Sequence, residues 1–210
     1  MWFVVHPIHK MKQGLFFVDQ SKTGSTTMGE VFWHPIMISH GHIGGVHKTA
    51  KYLKFNYPKW WGPYYTYAVM RNPYDRFISA YFYQVDAWHN DSQPIEREIT
   101  REAIFENMNI PDRFPMRRQL SYIADDNGKL MIDQLMLYNN VKQETQELVE
   151  RMKIPFVDIN DFDRIRLQKT FGKPHWKEFY DKYPDLWHLV SDIYEDDIKL
   201  FEKIGGNIGI

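Results

Sequence analysis

The sequence predicts an α/β protein with a central parallel sheet flanked by helices. Three observations carry this. Short apolar runs at 15–19 (LFFVD) and 64–70 (YYTYAVM) have strand character, the second rich in aromatic and β-branched residues. Each run leads into a polar segment and then a stretch that reads as helix, the strand–loop–helix unit from which parallel sheets are built. The composition, 43% hydrophobic and 25% charged over 210 residues, suits one soluble globular domain spanning 1–210.

Taken in order, 15–19 is a buried strand bounded by turn residues. Residues 21–27 (SKTGSTT) are small and polar and contain Gly24, so they form a loop, with a helix opening between Ser25 and Trp33. Residues 47–55 read as a short amphipathic helix. After the 64–70 strand, Asn72-Pro73 starts a helix that runs to Trp88. Asn is a good N-cap, Pro fits the first helical position, and Asp75 suits the first turn. Further helices are expected at 94–107, 115–123, 141–152 and 183–203. The run 129–137 (KLMIDQLML) fits either a strand or a buried helix, which periodicity does not separate.

Composition excludes several chemistries. Cysteine is absent, so a disulfide scaffold, a zinc–thiolate site, an iron–sulfur cluster and a cysteine nucleophile are out. Aromatics at 16% argue against disorder. The net charge of −1 excludes a broadly basic nucleic-acid surface. That total hides a split. Residues 1–90 hold nine Lys/Arg against four Asp/Glu, whereas 91–210 hold seventeen against twenty-three. Seven of the nine histidines lie in the first 90 residues, so an anionic ligand is sought there. The N-terminus lacks signal-peptide character, and no apolar run reaches the roughly 18–20 residues of a membrane span.

Two segments carry chemistry. In Ser21-Lys22-Thr23-Gly24-Ser25-Thr26-Thr27, backbone N–H groups between a strand and a helix suit phosphate, with hydroxyl donors and Lys22 beside them. It is not a Walker loop, because the lysine precedes the glycine. In Val69-Met70-Arg71-Asn72-Pro73-Tyr74-Asp75-Arg76-Phe77-Ile78-Ser79-Ala80-Tyr81, Arg71 sits at the carboxyl end of a strand, the edge where α/β ligands gather. Arg76, Ser79 and Tyr83 share a helix face. A guanidinium and a hydroxyl there suit a second phosphate. An Arg71–Asp75 ion pair at an ordinary helix start is the competing reading.

Together the segments resemble the sulfotransferases that use 3′-phosphoadenosine 5′-phosphosulfate (PAPS). The family's 5′-phosphosulfate loop, Pro-Lys-Thr-Gly/Ala-Ser-Thr-Ser, is matched by SKTGSTT with Ser21 in place of proline. Its 3′-phosphate motif, V-R-N-P-[YW]-D-R-[LF]-[VI]-S-A-Y, is matched by VMRNPYDRFISAY. The carbohydrate branch, with the heparan sulfate 2-O enzymes and bacterial relatives, is the nearer likeness. MRRQLSYIADDNGKLMIDQLMLYNNV and FYDKYPDLWHLVSDIYEDDIKLF are similar to later stretches of that branch. Asn139 departs from a common glutamate, and Glu202-Lys203-Ile204 from a common Gly-Tyr.

The resemblance implies a P-loop-like three-layer domain and a PAPS-dependent transfer of a sulfuryl group to an acceptor hydroxyl, expected on a carbohydrate. It implies that Lys22 meets the leaving 5′-phosphate oxygen, while Thr23, Gly24, Ser25, Thr26 and Thr27 cradle that phosphate. It assigns Arg71 and Ser79 to the 3′-phosphate, and no metal. Histidine suits the general base near neutral pH. His40, His42 and His47 are the candidates. The His-Gly-His of the 2-O enzymes favours His40 and His42. His47 lies 24 residues before Arg71, against 29 for His42, and that interval is closer to the family's. His47-Lys48-Thr49-Ala50 also resembles the H-x-[ST]-A of bacterial relatives. The choice stays open.

Trp60, Trp61, Tyr64 and Trp88 are acceptor-stacking candidates or core aromatics. Arg117 and Arg118 suit an anionic acceptor or a solvated face. Gln119 and Tyr122 fall within the downstream pattern. A P-loop kinase or nucleotide hydrolase and a non-catalytic PAPS-binding protein are the alternatives. A cytoplasmic setting, in a bacterial or viral version without an anchor, is expected, with no membrane or nucleic-acid partner.

Overall fold

The computed structural model describes residues 3–4, 15–25, 27–28, 31, 47–88, 116–154, 158–164 and 173–208. In chain order its elements are β1 (Phe3–Val4), β2 (Leu15–Phe17), α1 (Ala50–Asn56), α2 (Pro58–Trp61), β3 (Tyr65–Met70), α3 (Pro73–Trp88), α4 (Leu120–Ile123), β4 (Gln134–Leu137), α5 (Val141–Arg151), α6 (Asp161–Arg164), α7 (Trp176–Lys182), α8 (Pro184–Ile193) and α9 (Glu195–Lys203). They fall into two compact units, Met1–Met70 with Gln119–Leu167, and Arg71–Arg118 with Gln168–Ile210.

The first unit holds a mixed sheet in the order β1-β2-β3-β4. Its three longer strands are parallel, and β1 pairs antiparallel with β2. This agrees with the α/β expectation. Alternation places Leu15, Phe17, Tyr67, Val69 and Met136 on one face, where they pack with Met28, Leu148 of α5 and Ile154. Phe16 takes the opposite face and meets the Trp61 ring edge-on at 5.5 Å. In β3 every residue from Thr66 to Met70 is buried, which accounts for its near-continuous apolar character.

The ambiguous 129–137 run resolves as strand in its second half. Thr66 donates its N–H and its hydroxyl to Asp133 Oδ2 (2.7 and 2.8 Å), and Asp133 N–H returns to Thr66 Oγ1 at 3.0 Å. This clasp fixes β4 in register on β3. A tight turn precedes it, with Asp125 Oδ1 accepting from Asn127 and Lys129 N–H groups, and Gly128 at φ 77°. Gln119 and Tyr122 are fully buried. Much of the downstream pattern therefore shapes this turn and core.

The second unit is helical. α3 begins as expected, with Asn72 Oδ1 accepting from Tyr74 N–H at 2.9 Å and Asp75 N–H at 3.3 Å. The helix expected over 183–203 is two helices. Tyr194 leaves helical geometry (φ −107°, ψ 24°), its ring is buried, and its hydroxyl donates to the Met116 carbonyl at 2.6 Å. Glu195, Asp196 and Asp197 then open α9, where carboxylates oppose the positive end of the helix dipole. Of the helix expected over 115–123, the described residues form α-helix at α4. The 94–107 expectation lies outside the described residues. Among the described residues, no helix is long and apolar enough to cross a membrane.

Candidate functional site

Parallel pairing sends the chain out of β2, β3 and β4 at one edge of the sheet, and the Ser21–Thr27 loop leaves β2 there. Two of its backbones are left-handed, Lys22 at φ 62° and Gly24 at φ 86°, whereas Thr23 between them is not. Alternation of this kind turns successive N–H groups toward one concavity, the geometry that receives an anion. Thr23 is buried and donates its hydroxyl to the Gln20 carbonyl (2.9 Å), which closes the turn. Gly24 carbonyl accepts from Met28 N–H at 3.0 Å and starts the following helical segment, in which Ser25, Thr27, Met28 and Val31 are helical.

A cavity of about 250 Å³ opens against the loop, lined by Thr23, Gly24, Thr27, Tyr138, Asn139 and Phe162, with Met28 and Val141 behind. Its size is that of a ligand fragment, below the roughly 300–1,000 Å³ of whole small-molecule pockets. Tyr138 leaves the end of β4 in a short turn (Tyr138–Asn140) and covers Gly24 so closely that a Cβ there would stand 2.8 Å from its ring. Glycine is required at 24 for both its φ and its bulk. Thr27 Oγ1 and both amide atoms of Gln20 are buried with no hydrogen-bond partner among the described residues. Such groups cost about 1–3 kcal/mol each until something satisfies them.

His47 stands two residues before Thr49, whose side chain caps α1 by accepting from Tyr52 N–H at 3.2 Å. Its Nδ1 lies 3.1 Å from Oδ2 of Asp19, which is only 2% exposed at the end of β2. The contact is close but lacks hydrogen-bond alignment. His47 also holds φ 58°. The left-handed non-glycine residues among those described are Lys22, His47 and Lys153, so the two described residues among the predicted catalytic candidates sit on strained backbone. Asp19 and Tyr138 were not singled out from sequence. A carboxylate closing an apolar strand just before a phosphate-type loop was the available signal for Asp19. Tyr138 had none, because its contact spans more than 100 residues. Thr26, His40 and His42 lie outside the described residues.

In the second unit Arg71 follows β3 directly and is engaged with Asp75, Nε and Nη2 each 2.6 Å from Oδ2. Lys173 takes Oδ1 of the same carboxylate. Burial alone would raise the Asp75 carboxyl, but Arg71 and then Lys173 overcome it and hold the group below its ordinary value. Burial pulls the Lys173 ammonium down. Two cations thus share one carboxylate. Ser79 is buried in α3 beside fully buried Arg76, while Tyr83 on the same face is exposed. The ion pair at the helix start is thus present, and Lys173 joins it from a segment the sequence did not connect. Arg117 and Arg118 are exposed, and Arg118 lies 3.8 Å from Asp196. Trp61 packs on Phe16, and Trp60 meets Tyr64 at 5.6 Å, so these aromatics serve packing. The Trp88 side chain is outside the described residues.

Among the described residues no group of three or more His, Asp or Glu side chains is arranged to hold a metal. No family model, curated protein or solved structure matches the chain.

Proposed function

We propose that this chain is a PAPS-dependent sulfotransferase acting on a hydroxyl of a carbohydrate acceptor, in a P-loop-like three-layer domain working in the cytoplasm. The observation that carries the reading is the Ser21–Thr27 loop, with left-handed Lys22 and Gly24 and the orphaned Thr27 hydroxyl on a cavity wall. A phosphate seated there would supply the missing acceptor for Thr27 and use the converging N–H groups. The near-complete match of VMRNPYDRFISAY to the family's 3′-phosphate motif supports the same cosubstrate.

Lys22 neutralises charge that develops on the leaving 5′-phosphate oxygen as its bond to sulfur breaks, and the 23–27 backbone holds that phosphate in line. Arg71 and Ser79 bind the 3′-phosphate. His47 accepts the acceptor proton as the new sulfur–oxygen bond forms, with the Asp19 carboxylate 3.1 Å from its Nδ1. His42 is the second candidate for that proton.

Thermal shift with adenosine 3′,5′-bisphosphate, PAPS, and ATP with Mg²⁺ tests the cosubstrate. Stabilisation by the bisphosphate and PAPS is expected. Stabilisation by ATP with Mg²⁺ alone overturns the reading in favour of a kinase or hydrolase. Transfer of radiolabelled sulfate from PAPS to a panel of glycans then tests catalysis. Tight PAPS binding with no transfer to any hydroxyl acceptor would make this a binding protein.

A further inference from the structure

In the second unit, α7 and α8 border a cavity of about 400 Å³ that the proposed transfer does not use. It is lined by three rings, Trp176, Tyr180 and Trp187, and by Lys177, Asp181 and His188. Its volume is within the range of small-molecule sites.

The ring contacts leave one aromatic face without a ring partner among the described residues. Tyr74 and Trp187 stack at 3.8 Å with planes 3° apart. Trp176 lies 6.2 Å from Tyr74 and 6.3 Å from Trp187, nearly parallel to both. A ring equidistant from both members of a stack stands beside it, not on top of it. Tyr180 is also nearly equidistant, at 5.6 and 5.4 Å, and edge-on to both. Among the described rings, none covers the Trp187 face turned away from Tyr74, and Trp187 is only partly buried. The ammonium of Lys177 lies over Trp176, 5.5 Å from the ring centroid.

We propose that this cavity binds a neutral saccharide, whose ring lies on the Trp187 face turned away from Tyr74 with its hydroxyls at Lys177, Asp181 and His188. A flat apolar face takes the C–H side of a pyranose. The rim offers the pure donor Lys177, the pure acceptor Asp181 and His188, which is either, as a hydroxyl requires. The charges of Lys177 and Asp181 cancel, so the rim selects neither an anion nor a cation. A quaternary ammonium wants rings converging on one point, whereas Trp176 and Trp187 form a near-parallel surface.

The test uses the full chain labelled with 5-fluorotryptophan, read by fluorine NMR, with Trp187→Phe to assign the resonance. Cellobiose, diacetylchitobiose and maltose are titrated to millimolar levels, alongside adenosine and choline. The Trp187 resonance is expected to move with at least one disaccharide, and Asp181→Ala, confirmed folded by circular dichroism, is expected to weaken that binding about tenfold. No response to any disaccharide, a response to adenosine or choline alone, or unchanged affinity in Asp181→Ala overturns the proposal. Lys22→Ala is expected to bind the disaccharide like the unaltered chain, which separates this site from the transfer reaction.

Discussion

Two strand-to-helix junctions in this molecule solve the same problem in opposite ways. After β3, the chain enters α3 through Asn72, which caps two N–H groups, and Pro73, which is preset for a helix. Asp75 is matched by Arg71 and Lys173. After β2, the chain turns through two left-handed residues, presses Gly24 under Tyr138, and buries Thr27 and Gln20 polar atoms without partners among the described residues. The first junction is capped by Asn72 and ion-paired at Asp75. The second carries costs of about 1–3 kcal/mol per feature. A ligand bound as proposed would offset them, which makes the loop after β2 the stronger functional candidate.

The comparison is sharpened most by removing Lys22. Lys22→Ala is expected to lower kcat by about a thousandfold at saturating PAPS with the fold intact, the loss of a preorganised charge. Unchanged kcat breaks the assignment. His47→Ala should lower kcat about a hundredfold or more and remove the acidic limb of the pH–rate profile. Asp19→Asn should keep part of the rate, measured as kcat, because it alters a neighbour of Nδ1 and not the base. If His47→Ala leaves kcat intact, His42 inherits the role.

Arg71→Ala belongs to the junction after β3. It should weaken affinity for adenosine 3′,5′-bisphosphate about tenfold, measured by calorimetry, with a smaller effect on kcat. Gly24→Ala strains φ 86° and drives a methyl into Tyr138. Chemical denaturation should show a loss of about 2–3 kcal/mol. A loss confined to a few tenths would show that Tyr138 yields.

The smallest effect concerns Asp75. Its carboxyl is held below the ordinary value in the folded chain, so it contributes stability above the unfolded value of 3.8. That contribution falls away as acid drives the pH below 3.8 and through the lowered folded value. Asp75→Asn should flatten the stability profile in that acid window and leave Arg71 beside Lys173 without their shared carboxylate. An unchanged profile would mean that the cluster contributes nothing.

Local signals were legible in the sequence. Strands β2 and β3, the Asn72-Pro73 start of α3 and the polar loop all depend on neighbours within a few residues. The Asp19–His47 and Gly24–Tyr138 contacts were not, because they join residues far apart in the chain through the sheet. The 183–203 stretch misled for a related reason. Its helical periodicity runs through Tyr194, and only the pull of the Met116 carbonyl and a core site for the ring breaks it. Asp133 and Gly128 lie in stretches that resemble sulfotransferases, yet in the structure they build a clasp and a turn.

The sheet order has a consequence for how the chain is made. β3 pairs on one side with β2, made before it, and on the other with β4, whose first residue is Gln134. Between Met70 and Gln134 the ribosome must add a long insertion that contributes no strand among the described residues. At about 5–20 residues per second, one edge of this buried strand waits roughly 3–13 s for its partner. During that interval the nascent chain carries an unpaired strand edge, the feature that invites wrong pairing.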